Sequence, residues 1–257
     1  MNQTALITGA SGGLGLEFSR IFAREGYDLV LVARSEDKLQ SLKQELEQAG
    51  KIKATVLAID LTQPNAADEV FQFTEQQQLT ISALVNNAGF ADFGAFAQCD
   101  WAKQAGMVQL NITTLMQLTR HYLPQMIERK SGKILNIASI AAFEPGPLMS
   151  VYYASKAFVL SFTEALSVEI KGTGVSITAL CPGPTKTGFE ARANLGASGL
   201  FKNLKNATAQ DVAAFGYRNL TKGKVVAIPG VMNKLITLGG RMMPKALVRN
   251  VVYRIQK

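Results

Sequence analysis

The chain has 257 residues, of which 47% are hydrophobic, so it can bury a sizeable core and is not a disordered protein. Its two cysteines, Cys99 and Cys181, exclude a disulfide framework and fit no metal-ligand spacing. We therefore predict buried thiols, no metal and a reducing compartment. The net charge of +8 belongs to the C-terminal end, because residues 212–257 hold nine Lys or Arg and no Asp or Glu.

An apolar strand pattern begins within the first few residues, without the charged start and longer apolar run of a signal peptide. No apolar run approaches the roughly 20 residues that a membrane-spanning helix needs. We therefore expect a soluble cytoplasmic protein.

Short apolar runs alternate with helical patterns along the chain, which is typical of a parallel sheet covered by helices on both faces. Strands are predicted near residues 3–8, 28–33, 53–58, 81–86, 133–138, 175–181 and 224–228. Helices are predicted near residues 13–24, 35–49, 108–126 and 151–170, and after the capping box Thr208-x-x-Asp211. The pattern predicts an α/β fold, with residues 1–257 forming a single doubly wound (Rossmann-type) domain of about seven strands.

The first strand runs into LITGASGGLG at residues 6–15, whose glycines do not fit the G-x-G-x-x-G fingerprint. The loop leads into a helix, whose free N–H groups and positive dipole end favour a pyrophosphate. Gly9 would make the turn, Gly13 would let the backbone approach a phosphate, and Gly15 would allow close packing of helix on strand. A glycine-rich turn without a ligand is the alternative.

Four further stretches carry polar residues: VNNAG at 85–89, Asn111, ILNIAS ending at Ser139, and YYASK at 152–156. Together with T-G-x-x-x-G-x-G from Thr8 to Gly15, they closely resemble the short-chain dehydrogenase/reductase family over about residues 3–190. The resemblance implies an oxidoreductase that transfers a hydride between a nicotinamide cofactor and a carbonyl or alcohol. It also implies a catalytic tetrad of Asn111, Ser139, Tyr152 and Lys156.

The family's usual glycine spacing is the one seen here. By resemblance, Asn87, Ala88 and Gly89 support the cofactor, Asp60 with Leu61 contacts the adenine, and a P-G-x-x-x-T segment closes over the nicotinamide. The predicted cofactor contacts are Gly9, Ser11, Gly13, Leu14, Gly15, Arg34, Asp60, Leu61, Asn87, Ala88, Gly89, Tyr152, Lys156, Pro182, Gly183, Thr185 and Thr187.

Reduction of a carbonyl needs a proton donor at the developing alkoxide, and a tyrosine serves best if its pKa is lowered. A lysine ammonium about 4 Å away contributes about 4 kcal/mol at an effective dielectric near 20, which lowers a phenol pKa by about 3 before desolvation opposes it. Tyr152 and Tyr153, at i−4 and i−3 from Lys156, both lie near its face of the helix, so spacing leaves the choice open. The family's Y-x-x-x-K pattern selects Tyr152. By resemblance, Ser139 binds the substrate oxygen and Asn111 holds a water of the proton relay.

The end of the second strand decides between the two nicotinamide cofactors. An NAD site places an acidic residue there for the ribose 2′-OH, whereas a 2′-phosphate needs a cation. Here the positions are Ala33 and Arg34, and a guanidinium can grip a phosphate through paired N–H bonds. We predict NADP(H), although Glu36 and Asp37 lie nearby and Arg34 could be a solvated residue.

Substrate-facing loops should lie beyond the carboxyl ends of the strands, at 90–96, at 142–149 and in a lid at about 186–207. They are rich in Phe, and the lid carries Phe189, Leu195, Leu200 and Phe201. We predict an apolar ketone, aldehyde or 3-oxoacyl substrate. The alternative is that these aromatics only anchor the loops to the core.

The chain continues past the last strand into a basic, apolar extension at about 230–257, like that of a broad bacterial subgroup of these oxidoreductases. In its last helix Leu247, Val248, Val251 and Val252 share one side. The extension could dock onto the domain or a sister subunit, recruit acidic substrates such as acyl-CoA or a carrier protein, or attach to a membrane surface.

For partners, we expect a small carbonyl or alcohol substrate and no nucleic acid, and the resemblance implies a homodimer or homotetramer. A different class of function stays open. The same fold could serve as an NADPH-binding regulatory or scaffold protein without turnover.

Overall fold

The computed structural model describes residues 3–187 and 207–256. Its strands are β1 (Thr4–Thr8), β2 (Asp28–Ala33), β3 (Ala54–Ala58), β4 (Ile81–Asn86), β5 (Gly132–Ile137), β6 (Val175–Leu180), β7 (Thr185–Lys186), β8 (Ala207–Thr208) and β9 (Val226–Ala227). Seven of them form one parallel sheet in the order β3-β2-β1-β4-β5-β6-β9. The predicted doubly wound α/β fold is therefore confirmed.

Helices cover both faces of this sheet. They are α1 (Gly13–Arg24), α2 (Glu36–Ala49), α3 (Ala66–Gln76), α4 (Trp101–Val108), α5 (Leu115–Glu128), α6 (Ser150–Glu169), α7 (Ala209–Thr221), α8 (Val231–Met242) and α9 (Lys245–Gln256). Two short 3₁₀ helices lie at Phe96–Gln98 and Ile140–Phe143, and a π-helical segment at Gln109–Thr114 joins α4 to α5.

The core has two layers because alternate residues of each strand point to opposite faces. Ala5 and Ile7 of β1 pack with Phe18 of α1 on one face. Leu6, between them, packs on the other face with Tyr122 of α5. Both faces of the central strands are apolar, which explains their nearly continuous hydrophobic runs.

The helix predicted at 108–126 has different bounds. Helical structure begins at Trp101, where the Asp100 side chain caps it by accepting a hydrogen bond from the Ala102 amide at 2.9 Å. The prediction missed this start because the first turns carry few buried apolar side chains to set a period. Cys181 is buried as predicted, whereas Cys99 is partly exposed.

The strand order reverses between β1 and β4, and ligands of such sheets bind beyond the carboxyl ends of the strands at that point. The segment predicted as a lid lies largely outside the described residues, including Phe189, Leu195, Leu200 and Phe201. Its two ends are held together, because β7 pairs with β8 with Thr185 opposite Ala207.

Candidate active site

A network of hydrogen bonds fixes the loop after β1 to the end of β4. The Thr8 hydroxyl donates to the Val85 carbonyl at 3.2 Å and accepts from the Asn87 and Ala88 amides, both at 2.9 Å. The Asn87 side chain in turn donates to the Thr8 carbonyl at 2.8 Å. Thr8 was not among the predicted site residues, although a hydroxyl ending an apolar strand could have signalled this role.

Several glycines of the loop stand where a larger residue would be strained or would clash. Gly9 and Gly13 have left-handed backbone conformations, with φ of 67° and 56°. A Cβ on Gly15 would lie 2.2 Å from the Gly9 carbonyl oxygen, so α1 packs as closely on the loop as a helix can. The α1 N-terminus at Gly13 has no side-chain cap, which leaves its first amides available to a ligand.

The other residues predicted at this loop have different surroundings. The Leu14 side chain is buried in the core, so Leu14 can offer a cofactor only its backbone, whereas Ser11 is partly exposed. The Ala10 amide donates to the Val32 carbonyl at 3.2 Å and ties the loop to the end of β2. Arg34 lies two residues after Val32. It is exposed and forms no ion pair with any residue in 3–187 or 207–256.

Asp60 and Leu61 follow β3, as predicted, but both already have partners within the chain. The Asp60 carboxylate accepts hydrogen bonds from the Thr62 amide at 3.0 Å and the Thr62 hydroxyl at 2.9 Å. The Leu61 side chain is buried in the core, and its carbonyl accepts from Thr114 at 2.9 Å. A ligand would therefore meet the free edge of Asp60 and the backbone of Leu61.

The segment Pro182–Thr187 lies against the glycine loop, because a Cβ on Gly13 would be 3.1 Å from the Thr187 Cβ. The Thr185 hydroxyl donates to the Gly183 carbonyl at 2.8 Å, which makes the segment a tight turn. Asn233 of α8 sits beside Gly183, within 2.6 Å of where a Cβ would be. This contact with the C-terminal extension was missed by the sequence reasoning.

Ser139 and Tyr152 meet at the carboxyl end of β5, where their hydroxyls are hydrogen-bonded to each other. The Ser139 hydroxyl accepts from the Ala141 amide at 3.1 Å and donates to the Pro182 carbonyl at 3.4 Å. These contacts fix the serine rotamer, so the pair presents two neighbouring hydroxyls at a partly exposed position.

Lys156 and Asn111 are the other two residues of the predicted tetrad. The Lys156 ammonium donates to the Ile137 carbonyl at 2.8 Å, and the Asn111 amide donates to Phe90 O at 3.0 Å and to Ser155 Oγ at 3.1 Å. A Cβ on Gly89 would lie 2.9 Å from Asn111 Oδ1 and 3.5 Å from Lys156 Nζ. The structure thus brings all four predicted residues together, and Asn111 is in the π-helical segment, a feature frequent at functional sites.

Burial dominates the electrostatics of this cluster. It raises the pKa of Tyr152 to about 12, with the hydrogen bond from Ser139 opposing the rise, and it lowers the pKa of Lys156 to about 8. The expected lowering of the Tyr152 pKa by Lys156 is therefore not found. The ammonium lies 5.8 Å from the centroid of the Tyr152 ring, and burial disfavours the charged forms of both groups.

Tyr153 belongs to a separate apolar cluster on the substrate side, with Met149 and with Val248 and Val252 of α9. Its ring packs on Gly146, where a Cβ would come within 2.2 Å of it. Its hydroxyl accepts a hydrogen bond from the buried Gln256 amide at 2.9 Å. No sequence signal links these two residues, which are 103 positions apart.

The C-terminal extension therefore docks onto the domain by part of its predicted apolar side. Val248 and Val252 are buried, whereas Leu247 and Val251 are exposed. Within residues 3–187 and 207–256 there is no helix long and apolar enough to cross a membrane, and no cluster of three potential metal ligands.

Comparisons with known proteins give a family model and several relatives. Residues 3–197 match the family model for short chain dehydrogenases. Ketoacyl reductase HetN of Nostoc sp. is 33% identical over an alignment of 261 positions, which covers 98% of this chain and 88% of that protein. The 17-beta-hydroxysteroid dehydrogenase type 3 of Mus musculus is 38% identical over 184 residues, which are 71% of this chain and 60% of the mouse protein.

A solved structure gives the same result for the fold. A short-chain dehydrogenase from Sphingobium yanoikuyae in complex with NADPH superposes with a TM-score of 0.84 at 31% identity. The match covers 93% of this chain and 92% of that chain.

Proposed function

We propose, since the chain belongs to the short-chain dehydrogenase family, that it uses NADPH to reduce an apolar ketone, aldehyde or 3-oxoacyl compound. The chain is an oxidoreductase that acts on CH–OH and C=O groups with a nicotinamide cofactor. The observation that carries the proposal is the partly buried hydroxyl pair of Ser139 and Tyr152 beside Lys156. This pair can bind a carbonyl oxygen and give it a proton.

The cradle at the carboxyl ends of β1 and β4 fits a dinucleotide. Gly9 and Gly13 remove side chains where a phosphate would approach, and the uncapped N-terminus of α1 offers free amides. Gly89 leaves space beside Asn111 and Lys156, which suits the nicotinamide end. When bound there, the nicotinamide supplies or accepts the hydride.

The chain's own residues handle the proton. The Tyr152 hydroxyl would protonate the substrate oxygen, while the Ser139 hydroxyl holds that oxygen in place. A phenolate at this position would be stabilised by a nearby cation, and the buried Lys156 ammonium lies 5.8 Å from the centroid of the Tyr152 ring. The Asn111 amide is engaged with Phe90 and Ser155, so it positions α6 against the π-helical segment, and its role with a relay water stays a prediction.

The preference for NADPH rests on the end of β2. Arg34 is exposed there without an ionic partner among the described residues, and Ala33 replaces the carboxylate that a ribose 2′-OH would need. The NADPH bound to the Sphingobium relative supports the same choice. The remaining predicted contacts, from Ser11 to Thr187, would surround the rest of the cofactor.

The substrate side supports an apolar compound, because Met149, Tyr153, Val248 and Val252 form a hydrophobic cluster next to Tyr152. We also propose a cytoplasmic homodimer or homotetramer. Large apolar side chains exposed on α4 and α6, such as Trp101 and Val168, are typical of a subunit interface. Recruitment of an acidic carrier or CoA thioester by the basic extension stays a prediction.

The test is NADPH and NADH oxidation by the purified protein over a panel of apolar ketones, aldehydes and 3-oxoacyl thioesters. We expect turnover with at least one class, and kcat/KM at least tenfold higher with NADPH. Arg34→Ser should reduce that preference by roughly 10- to 100-fold through loss of a charge-assisted contact, whereas Lys38→Ser, an exposed control on α2, should not.

Two results would contradict the proposal. Equal use of NADH would remove the argument from Arg34. Tight NADPH binding without turnover on any substrate would favour the regulatory or scaffold alternative.

A further inference from the structure

The helices α8 and α9, with Met243 and Pro244 between them, form a unit that we call the C-terminal arm (Val231–Gln256). Each helix docks one face onto the domain. In α8 the docked face includes Asn233, which contacts Gly183, and the buried Thr237. In α9 the buried side chains are Val248, Val252 and Gln256. What remains of both helices faces outward.

The outward face of α8 is a stripe of large apolar side chains. Val231, Leu235, Leu238 and Met242 follow the spacing i, i+4, i+7, i+11, which aligns them along one side of a helix. Their side chains are between 55% and 78% exposed. At about 100° per residue, this stripe lies roughly opposite Asn233 and Thr237, so docking onto the domain cannot cover it.

A second apolar stripe runs along α9. Leu247, Val251 and Ile255 follow the spacing i, i+4, i+8 and are between 40% and 51% exposed. They lie one position before the buried residues Val248, Val252 and Gln256, so this stripe is beside the docked face rather than opposite it. The arm therefore exposes two apolar stripes, and Met243 between the helices is also exposed.

Uncompensated positive charge accompanies these stripes. Lys234, Lys245, Arg249 and Arg254 are exposed and form no ion pair with any residue in the described ranges. No Asp or Glu occurs anywhere from residue 212 to the end of the chain. At about 100° per residue, Lys234 lies at the border of the α8 stripe and Arg254 at the border of the α9 stripe. Helices that combine an apolar face with cations at its borders are typical of binding in the interface of an anionic bilayer.

The length and charge of the arm indicate what binds to its exposed apolar stripes. Each helix has 12 residues, about 18 Å, which is well short of the roughly 30 Å of a hydrocarbon core. A second copy of the arm would bring its cations against like charges, which opposes self-association. An anionic lipid surface satisfies both the apolar stripes and the cations.

We propose that the C-terminal arm attaches this enzyme to the surface of an anionic membrane. The apolar stripes of α8 and α9 lie among the headgroups and upper acyl chains, Lys234 and Arg254 at their borders contact the lipid phosphates, and Lys245 and Arg249 add attraction at longer range.

The test is flotation of the full-length protein, in the presence of NADPH, with vesicles of phosphatidylcholine alone or with 30% phosphatidylglycerol. We expect the protein to float with the anionic vesicles and to remain at the bottom with the neutral ones. Binding should weaken when NaCl is raised from 0.1 to 0.5 M, because the electrostatic part is screened.

Two sets of variants separate the contributions. The triple variant Lys234→Glu, Lys245→Glu, Arg254→Glu should lose on the order of a hundredfold in partitioning, since each cation near an anionic surface contributes about fivefold. The matched control Lys51→Glu, Lys103→Glu, Lys171→Glu makes the same charge change at exposed positions elsewhere. Leu235→Ser with Leu238→Ser should also release the protein, whereas Val168→Ser on α6 should not.

Sedimentation velocity on the same variants tests the alternative that the arm binds a second copy of the chain. If the arm variants dissociate an oligomer while wild type fails to float with anionic vesicles, the arm is a subunit interface and the proposal is wrong. Equal flotation with neutral vesicles, or equal loss in the control triple variant, would also overturn it. Neither readout depends on catalytic activity, so the membrane proposal can fail while the proposed function stands.

Discussion

Around the glycine loop, contacts are made largely by backbone atoms close to the ends of strands, whereas around Tyr153 they are made by side chains from distant parts of the chain. Gly15 packs on the Gly9 carbonyl six residues away, and Asn87 holds the loop through the backbone of Thr8. Tyr153 instead meets Gln256 near the end of the chain. The cofactor side is thus held by atoms fixed close to the ends of strands, and the substrate side by side chains on two helices.

This difference predicts how each side responds to change. A contact between backbones tolerates no added atom, because neither partner can move without disturbing a strand. A contact between side chains on α6 and α9 can readjust, so substitutions there should tune substrate binding rather than abolish the site.

The largest effect should separate the two adjacent tyrosines. Tyr152→Phe removes the hydroxyl that is hydrogen-bonded to Ser139, and we expect kcat to fall about a thousandfold, the usual contribution of a positioned acid. Tyr153→Phe removes a hydroxyl bonded to Gln256 and should change kcat less than about tenfold. Steady-state kinetics with NADPH on both variants measure this. The reverse order of effects would assign the proton donor to Tyr153.

The second prediction concerns close packing of the glycine loop. Gly15→Ala places a Cβ 2.2 Å from the Gly9 carbonyl and should reduce the free energy of unfolding by about 1–3 kcal/mol, more than the roughly 1 kcal/mol that alanine gains in a helix. Gly12→Ala is the matched control, because Gly12 is extended and nothing lies within 4 Å of its Cβ position. Its unfolding free energy should stay within about 0.5 kcal/mol of wild type. Urea unfolding without nucleotide compares the two, and equal losses would contradict the packing argument.

The part of the site that the sequence could predict is mainly the cofactor side and the catalytic cluster. The doubly wound parallel sheet and the gathering of Ser139, Tyr152, Lys156 and Asn111 follow from periodicity and from the family resemblance, since parallel strands place their carboxyl ends at one edge. The direction of the Tyr152 pKa could not be predicted, because it depends on how completely the phenol and Lys156 are desolvated. Burial is a property of the whole fold rather than of i, i+4 spacing.

The C-terminal arm shows the same limit. Its helical period and its charge are visible in the sequence, but the division of its apolar residues into docked Val248 and exposed Leu247 depends on the angle at which α9 meets the domain. Likewise, the hydrogen bond between Tyr153 and Gln256 depends on how the fold places two residues that are 103 positions apart.

The third prediction uses the buried charge of Lys156. Burial lowers its pKa to about 8 in the folded chain, whereas an unfolded lysine titrates near ~10.4. Between these values the unfolded chain binds more protons, so this group makes the folded state more stable as the pH rises, by up to about 1.4 kcal/mol per pH unit. Lys156→Met lacks this contribution, and the stability of wild type relative to Lys156→Met should increase from pH 8 to pH 10.

Urea unfolding of both proteins without nucleotide, at half-unit pH steps, measures this difference. The exposed Lys171→Met provides the control, and its difference from wild type should stay flat. A difference for Lys156→Met that is flat or falls with pH would show that the ammonium is not desolvated as the structure indicates.

The smallest expected effect tests the substrate side. Gln256→Leu keeps the volume but removes the donor to the Tyr153 hydroxyl, together with a buried amide oxygen that has no hydrogen-bond partner among the described residues. The lost bond is worth about 1 kcal/mol, and removal of the unpaired oxygen offsets part of it. With the best ketone of the panel, KM should therefore change about two- to fivefold while kcat changes less, since the hydroxyls of Ser139 and Tyr152 are untouched.

Asn250→Leu, exposed on the same helix, should leave both constants unchanged. In combination with Tyr153→Phe the effect of Gln256→Leu on KM should be smaller than in wild type, because the two residues share one hydrogen bond. Additive effects would show that α9 acts on the substrate without Tyr153.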